Sequence, residues 1–460
     1  MLIARRLVSF NWLISHLLFE KNMKWSIYNE IINNVEGKEV IYLFNSLRKK
    51  YFILDYNLKD LVQAGRDNTL IIANSHPELY EYLMSEKFIV PDNIDEVAEC
   101  IQMINRKFFS EVELKITINP TLDCNLRCWY CYENHLKGSC MDASTIEAII
   151  NYIEIQAHSN TLKKIYLSFF GGEPLLKYSE VIKPIAKQCS EICNRYNKMF
   201  MLSFTTNGIC LSPSIVNELM KLSPEISVQV AFDGNRDLHD SVKCFENGKG
   251  CYDLVKKQLF YAIKKGVMTT IRCNYTSKNI ESFQELIDDF KQFWHYPNVK
   301  FSFHKVWQES ESEELVAKKE SLKQYIMRSG IRNNINSYYG EGLVPCYADF
   351  DNYIVVNYNG DIYKCTARDF RPEHRLGHLE NNGEIAYNTK AIRRKEKRLT
   401  RECFSCRLLP ICTICFQQRS ESINSTCPYP DTRKNAKIQI KRYFYDVLAL
   451  NERRNVQERK

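Results

Sequence analysis

The sequence predicts an α/β protein: a central run of alternating strands and helices, with a small α+β N-terminal domain before it and a cysteine-rich domain after it. Three observations carry this expectation. Between residues 112 and 307, six short apolar runs alternate with longer helical patterns, the mark of a parallel sheet or an open barrel. Ten of the 18 cysteines fall into close-spaced groups, one of them directly behind the first of those runs. The first 110 residues, by contrast, carry hairpin and helix patterns with no ligand cluster. The chain has 460 residues, of which 45% are hydrophobic and 26% charged, as suits a folded protein of two or three domains with a sizeable core.

At the N-terminus, Arg5 and Arg6 precede an apolar stretch over 7–19. Asn11, Ser15 and His16 interrupt it, no small-residue cleavage site follows, and it is too short for a membrane span. The expectation is that translation starts at Met23 and that residues 1–22 are a mis-assigned or flexible extension. Residues 23–110 form the small domain. Its apolar runs over 40–44 and 51–54 flank a polar turn and predict a hairpin, and segments 58–64, 78–87 and 94–105 predict helices.

Residues 111–307 form the central unit. Strands are expected over 114–119, 165–170, 201–205, 226–232, 269–275 and 299–304, and helices over 144–158, 179–196, 213–222, 252–265 and 280–293. In such folds the C-terminal ends of the strands carry the chemistry. Residues 308–345 read as a polar helical linker, 346–430 as the cysteine-rich domain, and 431–460 as a terminal helix and tail.

The run CNLRCWYC places Cys124, Cys128 and Cys131 behind the first strand. Three thiolates in so short a loop can grip three irons of a [4Fe–4S] cluster and leave the fourth iron open to an outside ligand. A structural zinc site normally takes four ligands, and no fourth is near. C-x3-C-x-aromatic-C, with Tyr130 as the aromatic residue, resembles the signature of the radical SAM superfamily. The resemblance implies a partial (β/α)6, TIM-like radical SAM barrel. It also implies a [4Fe–4S] cluster whose open iron binds S-adenosylmethionine (SAM), and cleavage of SAM to a 5′-deoxyadenosyl radical.

Further motifs follow in order. Gly171-Gly172-Glu173-Pro174 after the second strand resembles the family's GGEP motif, which contacts the SAM amino group. Glycines permit a close backbone approach and Glu173 can accept hydrogen bonds from an ammonium. Thr206 and Asn207 after the third strand, Asp233 after the fourth, and Arg272 and Asn274 on the fifth resemble family residues lining the SAM ribose and carboxylate. Arg272 suits a carboxylate by charge and geometry. His239 reads as structural.

The C-terminal cysteines are Cys346, Cys365, Cys403, Cys406, Cys412, Cys415 and Cys427, and their spacing resembles the SPASM extension of radical SAM enzymes. The turn YNGD around Gly360 predicts a hairpin that brings Cys346 and Cys365 onto adjoining strands. The resemblance implies two auxiliary [4Fe–4S] clusters. Cys403, Cys406, Cys412 and Cys427 would hold the distal one; Cys346, Cys365 and Cys415 the nearer one, with its fourth ligand open. The family's C-x3-C is here Cys412-x2-Cys415, which leaves the role of Cys415 open, and zinc stays an alternative for the 403–427 group. The other eight cysteines read as buried small hydrophobes.

SPASM proteins mostly modify peptides or proteins. The sequence is most like a maturase of ribosomally synthesised peptides that forms a thioether or carbon–carbon crosslink. Residues 23–110 resemble the winged-helix-like peptide-recognition units of such maturases, which take a leader peptide as an added strand. The alternative is an anaerobic sulfatase-maturating (formylglycine-forming) enzyme. That group places an aspartate after the cysteine equivalent to Cys365, where this chain has Thr366; Asp369 is the candidate base. A non-catalytic iron–sulfur protein and an RNA-binding protein are the readings from other classes.

The expected partners are a precursor peptide or protein and a flavodoxin- or ferredoxin-type electron donor. Free thiolates imply a reducing cytoplasm. The net charge of +8, including the cluster Arg393, Arg394, Lys395, Lys397 and Arg398, reads as solvated helix faces. Neither nucleic acid nor membrane is expected as a partner.

Overall fold

The computed structural model describes residues 22–33, 39–245, 247–331, 346–396, 399–422 and 427–457. The expected extension before Met23, apart from Asn22, and the linker's 332–345 lie outside the described residues.

In the small domain, β1 (Met23–Trp25) pairs with β5 (Ile89–Pro91), and β2 (Asn29–Asn33), β3 (Val40–Asn45) and β4 (Lys50–Asp55) form a three-stranded antiparallel sheet. The predicted hairpin is β3–β4. β2 carries too few alternations to announce itself. One face of the sheet packs through Ile31, Ile41 and Leu43 onto short helices spanning Lys59–Ala64, Leu70–Ser75 and Pro77–Ser85. The other face carries Ile32, Tyr42 and Phe44, which receive the C-terminal helix Ala436–Gln457 through Ile440, Tyr443 and Phe444. The two ends of the chain are therefore joined by one apolar cluster.

The central unit contains β6 (Glu113–Ile118), β7 (Lys164–Phe169), β8 (Met199–Thr206), β9 (Glu225–Phe232), β10 (Met268–Tyr275) and β11 (Val299–Lys305), all parallel. Helices Ala143–Ala157, Lys183–Arg195, Pro213–Leu222 and Tyr252–Lys264 cover the outer face. The expected partial (β/α)6 barrel is thus present, with strand and helix bounds close to those read from periodicity. The helix predicted over 179–196 starts as a π turn, Tyr178–Ile182, and becomes α-helical at Lys183. Pro184 has no N–H to extend a regular helix backwards, so the α-helix begins there.

Strand alternation explains the lumen. Leu202, Phe204, Val228, Val230 and Phe232 are buried on the helix side. The intervening positions turn inward and include Lys115, Thr117, Tyr166, Ser168, Thr205, Gln229, Arg272 and Asn274, which line a cavity of about 870 Å³. A barrel filled by Val, Ile and Leu has no such space; the polar and small inward set leaves one.

The cysteine-rich region continues the same sheet. β12 (Tyr353–Val356) pairs in parallel with β6, and β13 (Asp361–Tyr363), β14 (Gly377–Leu379) and β15 (Ile385–Tyr387) follow antiparallel, giving ten strands in the order β11-β10-β9-β8-β7-β6-β12-β13-β14-β15. The β12–β13 hairpin turns at Gly360, whose φ of +80° is the left-handed conformation that favours glycine.

Candidate active site

The loop behind β6 carries the first three cysteines. Asp123 fixes it at both ends, accepting the Cys124 N–H at 2.8 Å and the Gly138 N–H at 2.9 Å. The Cys131 N–H donates to the Cys128 carbonyl at 3.0 Å, and the Leu126 N–H points at Cys124 Sγ at 3.4 Å. All three cysteines line the cavity. Burial pushes the Cys124 thiol up to about 12 and raises Cys131 as well.

Gly171 and Gly172 lie against this loop. A Cβ on Gly171 would come within 2.4 Å of the Thr121 carbonyl oxygen, and one on Gly172 within 2.1 Å of the Asp123 carbonyl oxygen. The close approach that requires glycine is thus to the cysteine loop's own backbone, while both glycines also face the cavity. Glu173 is fully buried and accepts from Leu175 N–H at 3.0 Å, Thr206 Oγ1 at 2.8 Å and Asn207 N–H at 2.7 Å. Neither Glu173 nor Pro174 lines the cavity. Both carboxylate oxygens accept from protein donors, so Glu173 knots two loops together here. Burial pushes its pKa up to about 7 against the three donors. Asn207 in turn donates to Asn125 Oδ1 at 2.7 Å, tying the third loop to the cysteine loop.

Tyr130, Arg272 and Asn274 are brought together. Asn274 Nδ2 donates to the Tyr130 hydroxyl at 3.1 Å and its Oδ1 accepts from Arg272 Nε at 2.9 Å. Asp233 departs from its expected placement. It is 1% exposed, is absent from the cavity wall, and has Lys243 Nζ at 2.8 Å from its Oδ2. Its partner Lys243 occupies the wall instead, buried, with Nζ at 2.6 Å from the Tyr130 hydroxyl and 3.6 Å from Cys128 Sγ. Nothing in its neighbourhood in the sequence distinguishes Lys243 from a solvated lysine. His239, one turn earlier, is fully buried against Phe232 and Tyr252, as a structural residue should be.

A second residue that sequence reasoning missed is Glu133. It lines the cavity with Oε2 buried and without a hydrogen-bond partner, and burial pushes its pKa up to about 8. Two aromatic side chains, Tyr132 and Trp307, stack at 5.0 Å beside it and also line the cavity. Asp369 does not reach this space. Its carboxylate is paired with Arg371 and with His374 Nε2 at 3.2 Å, so the expected base is held in a separate ion-pair cluster.

The far wall comes from the cysteine-rich region: Tyr347, next to Cys346, and Thr366 and Ala367, next to Cys365. The Cys346 and Cys415 thiols are in hydrogen-bond contact, which pushes Cys346 up and holds Cys415 down; the charge of Cys415 also reaches Cys365. Cys412 feels Cys403 and Cys406, and Cys406 feels Cys427. Two buried arginines lie among these cysteines. Arg419 donates to Cys412 Sγ at 3.4 Å. Arg394 donates to the Ala348 carbonyl at 2.9 Å, lies 3.7 Å from Asp349, and sits in the field of Cys346, Cys365 and Cys415. Arg393 is exposed as expected of a solvated face, but Arg394 is 7% exposed, because the helix Thr389–Glu396 turns that one side chain onto the cysteine set.

The donor sets fit anionic metal–thiolate centres. Three thiols share one cavity wall with a lysine ammonium aimed at one sulfur, and two buried guanidinium groups lie among the later cysteines. Buried cations are expected where negative charge must be matched.

Residues 118–290 match the model of the Radical SAM superfamily. An uncharacterized protein of Methanocaldococcus jannaschii is 26% identical over 54% of this chain and 84% of its own length. The radical SAM cyclopropyl synthase TigE of Paramaledivibacter caminithermalis is 24% identical over 54% of this chain and 54% of its own. The chain therefore spans about half the length of that relative. Among solved structures, native anSMEcpe with bound AdoMet and Kp18Cys peptide superimposes with a TM-score of 0.56 at 18% identity, over 74% of this chain and 99% of that one, a likeness of fold.

Proposed function

Because residues 118–290 are a radical SAM domain, we propose that this radical SAM enzyme modifies a peptide or protein side chain, crosslinking a ribosomal precursor peptide through a thioether or carbon–carbon bond. Cys124, Cys128 and Cys131 would hold the [4Fe–4S] cluster with its open iron. That cluster, with SAM bound and an electron from a flavodoxin- or ferredoxin-type donor, would supply the radical chemistry. Arg272, Asn274 and Tyr130 present a guanidinium, an amide and a hydroxyl to the polar groups of SAM; Gly171, Gly172, Thr206 and Asn207 close the opposite side. The stacked Tyr132 and Trp307, both partly open to solvent, offer an aromatic surface where a substrate side chain would enter.

One observation carries the reading: the cavity runs without interruption from the three cysteines to Tyr347, Thr366 and Ala367, beside Cys346 and Cys365. A substrate side chain seated there lies between the site of hydrogen-atom removal and a set of thiolates suited to an electron-accepting auxiliary cluster. Crosslinking and two-electron oxidation both need that order. Of the two, formylglycine formation is the less supported, since Thr366 follows Cys365 and Asp369 is committed to Arg371 and His374.

The small domain supports a peptide partner. Both faces of its sheet are covered, but β4 is an edge strand of exposed and half-buried residues, Ile53 among the exposed, suited to adding a strand. That fold relative was solved with a peptide present. No helix among the described residues is long and apolar enough to cross a membrane, and the reading places the enzyme in the reducing cytoplasm.

The test is anaerobic reconstitution with iron and sulfide, followed by reduction and assay for 5′-deoxyadenosine. The reading expects about twelve irons per chain, three [4Fe–4S] clusters, and 5′-deoxyadenosine that is lost in C124A, C128A or C131A. Retained SAM cleavage in any of these three variants would refute the assignment. Incubation with candidate precursor peptides tests the product: a loss of two hydrogens that leaves no hydrazine-reactive aldehyde and joins two residues in tandem fragmentation marks a crosslink, whereas an aldehyde at a single residue marks formylglycine.

A further inference from the structure

Among the three cysteines of the SAM-cluster loop, Cys128 has a surrounding the other two lack. Cys124 receives a neutral backbone N–H at 3.4 Å and a distant amide at 3.9 Å. Cys131 takes a backbone hydrogen bond from Glu133, lies in the field of that residue's carboxylate, and feels Lys243 only at a distance, with no ammonium in contact. Cys128 faces the Lys243 ammonium at 3.6 Å. This ammonium is 3% exposed, and its contacts are Asp233 Oδ2 at 2.8 Å, the Tyr130 hydroxyl at 2.6 Å and the Cys128 sulfur, with the Tyr130 ring centroid 5.1 Å away.

A lysine that only neutralised Asp233 would have no reason to aim its remaining protons at a sulfur and at the aromatic residue of the cysteine motif. Asp233 supports Lys243 from behind: it is 1% exposed and outside the cavity, so it has no solvent to turn to. The pair is a buried dipole with its positive end toward the cysteine loop. Such a charge is little screened by water or salt. Hydrogen bonds and positive charge at the sulfurs of an iron–sulfur cluster favour the reduced form, which carries one more negative charge.

We propose that Lys243 is a positioning residue that raises the reduction potential of the cluster held by Cys124, Cys128 and Cys131, with Asp233 limiting the size of that effect. This inference rests on the reading that the loop holds a [4Fe–4S] cluster. It assigns no role in catalysis to Lys243 itself: the ammonium touches a ligand sulfur and Tyr130 and acts through them.

The test is a redox titration of the reconstituted full chain, followed by electron paramagnetic resonance. The reduced signal that changes on addition of SAM reports the open-iron cluster, and SAM-insensitive signals serve as an internal reference. In K243Q the reduced-to-oxidised ratio at fixed potential should fall about tenfold, equivalent to about 59 mV for a one-electron couple. In D233N, which removes the compensating charge behind the ammonium, the shift should have the opposite sign. A merely structural role for the pair predicts parallel damage in both variants, not opposite shifts. Potentials equal to wild type in K243Q overturn the proposal, as does a folded K243Q chain that takes up no iron at this loop, which would assign Lys243 to holding the loop. Should K243Q not fold, D233N decides alone: an upward shift supports the proposal and an unchanged potential overturns it. Absence of any SAM-sensitive signal in the unsubstituted chain removes the cluster reading and the inference with it, whereas an unshifted signal that responds to SAM overturns the inference only.

Discussion

Replacing Glu173 tests whether the GGEP carboxylate acts as a knot between loops or as a ligand for SAM. In E173A three donors lose their acceptor: the Leu175 and Asn207 N–H groups and the Thr206 hydroxyl. The hydroxyl can rotate toward another acceptor. The two N–H groups are fixed by the backbone; that of Leu175 stays buried and that of Asn207 is part-buried beside the cavity. A buried unsatisfied group costs about 1–3 kcal/mol and the part-buried one less, so the loss is roughly 2–4 kcal/mol. E173Q keeps one acceptor oxygen and sets an amide NH2 against a donor, for a loss of about 1–3 kcal/mol. Anaerobic denaturant unfolding gives the stabilities, iron content gives the order of the cysteine loop, and equilibrium binding gives the affinity for SAM. The knot predicts that stability, iron uptake and SAM affinity fall together, in the order E173A then E173Q. Wild-type stability and iron content in E173Q, with SAM binding alone weakened, would refute the reasoning and return the carboxylate to the ligand.

Three further outcomes are expected. C346S should lower the iron count by about four per chain and stop product formation while leaving 5′-deoxyadenosine production; an unchanged count would argue against a cluster at Cys346, Cys365 and Cys415. G172A should displace the cysteine loop, because the new Cβ would meet Asp123 backbone atoms at 2.1 Å and 2.6 Å; overpacking of this kind costs about 1–3 kcal/mol, and poor iron loading is the readout. Phe444 is fully buried among Tyr42, Phe44 and Tyr51, so F444A should cost about 3–5 kcal/mol and open helix Ala436–Gln457 to limited proteolysis; equal protease resistance would show that the two chain ends are held by other contacts.

Much of the fold was legible because its signals are local. Period-two apolar runs such as those in β8 and β9 fix strands, and the motifs at their C-terminal ends mark where chemistry sits. The YNGD turn announced the β12–β13 hairpin for the same reason. The pairing of β12 with β6 was not legible. Tyr353 lies opposite Lys115 across more than two hundred residues, and a parallel pairing leaves no trace in either strand's own pattern.

The site divides along the same line. The sequence by itself pointed to the three-cysteine loop, the glycine-rich turn, Tyr130, Arg272 and Asn274, because residue type and spacing within a few positions state the chemistry. Only the tertiary structure decided which polar groups meet those residues. It drew Lys243 onto Cys128 and Asp233 behind it, buried Glu133 in the cavity wall, turned Arg394 inward out of a basic run, and tied Asp369 to Arg371 and His374. A charged side chain reads alike in sequence whether it is solvated or buried. Its meaning is set by the charges and dielectric around it, and those exist only once distant segments have packed.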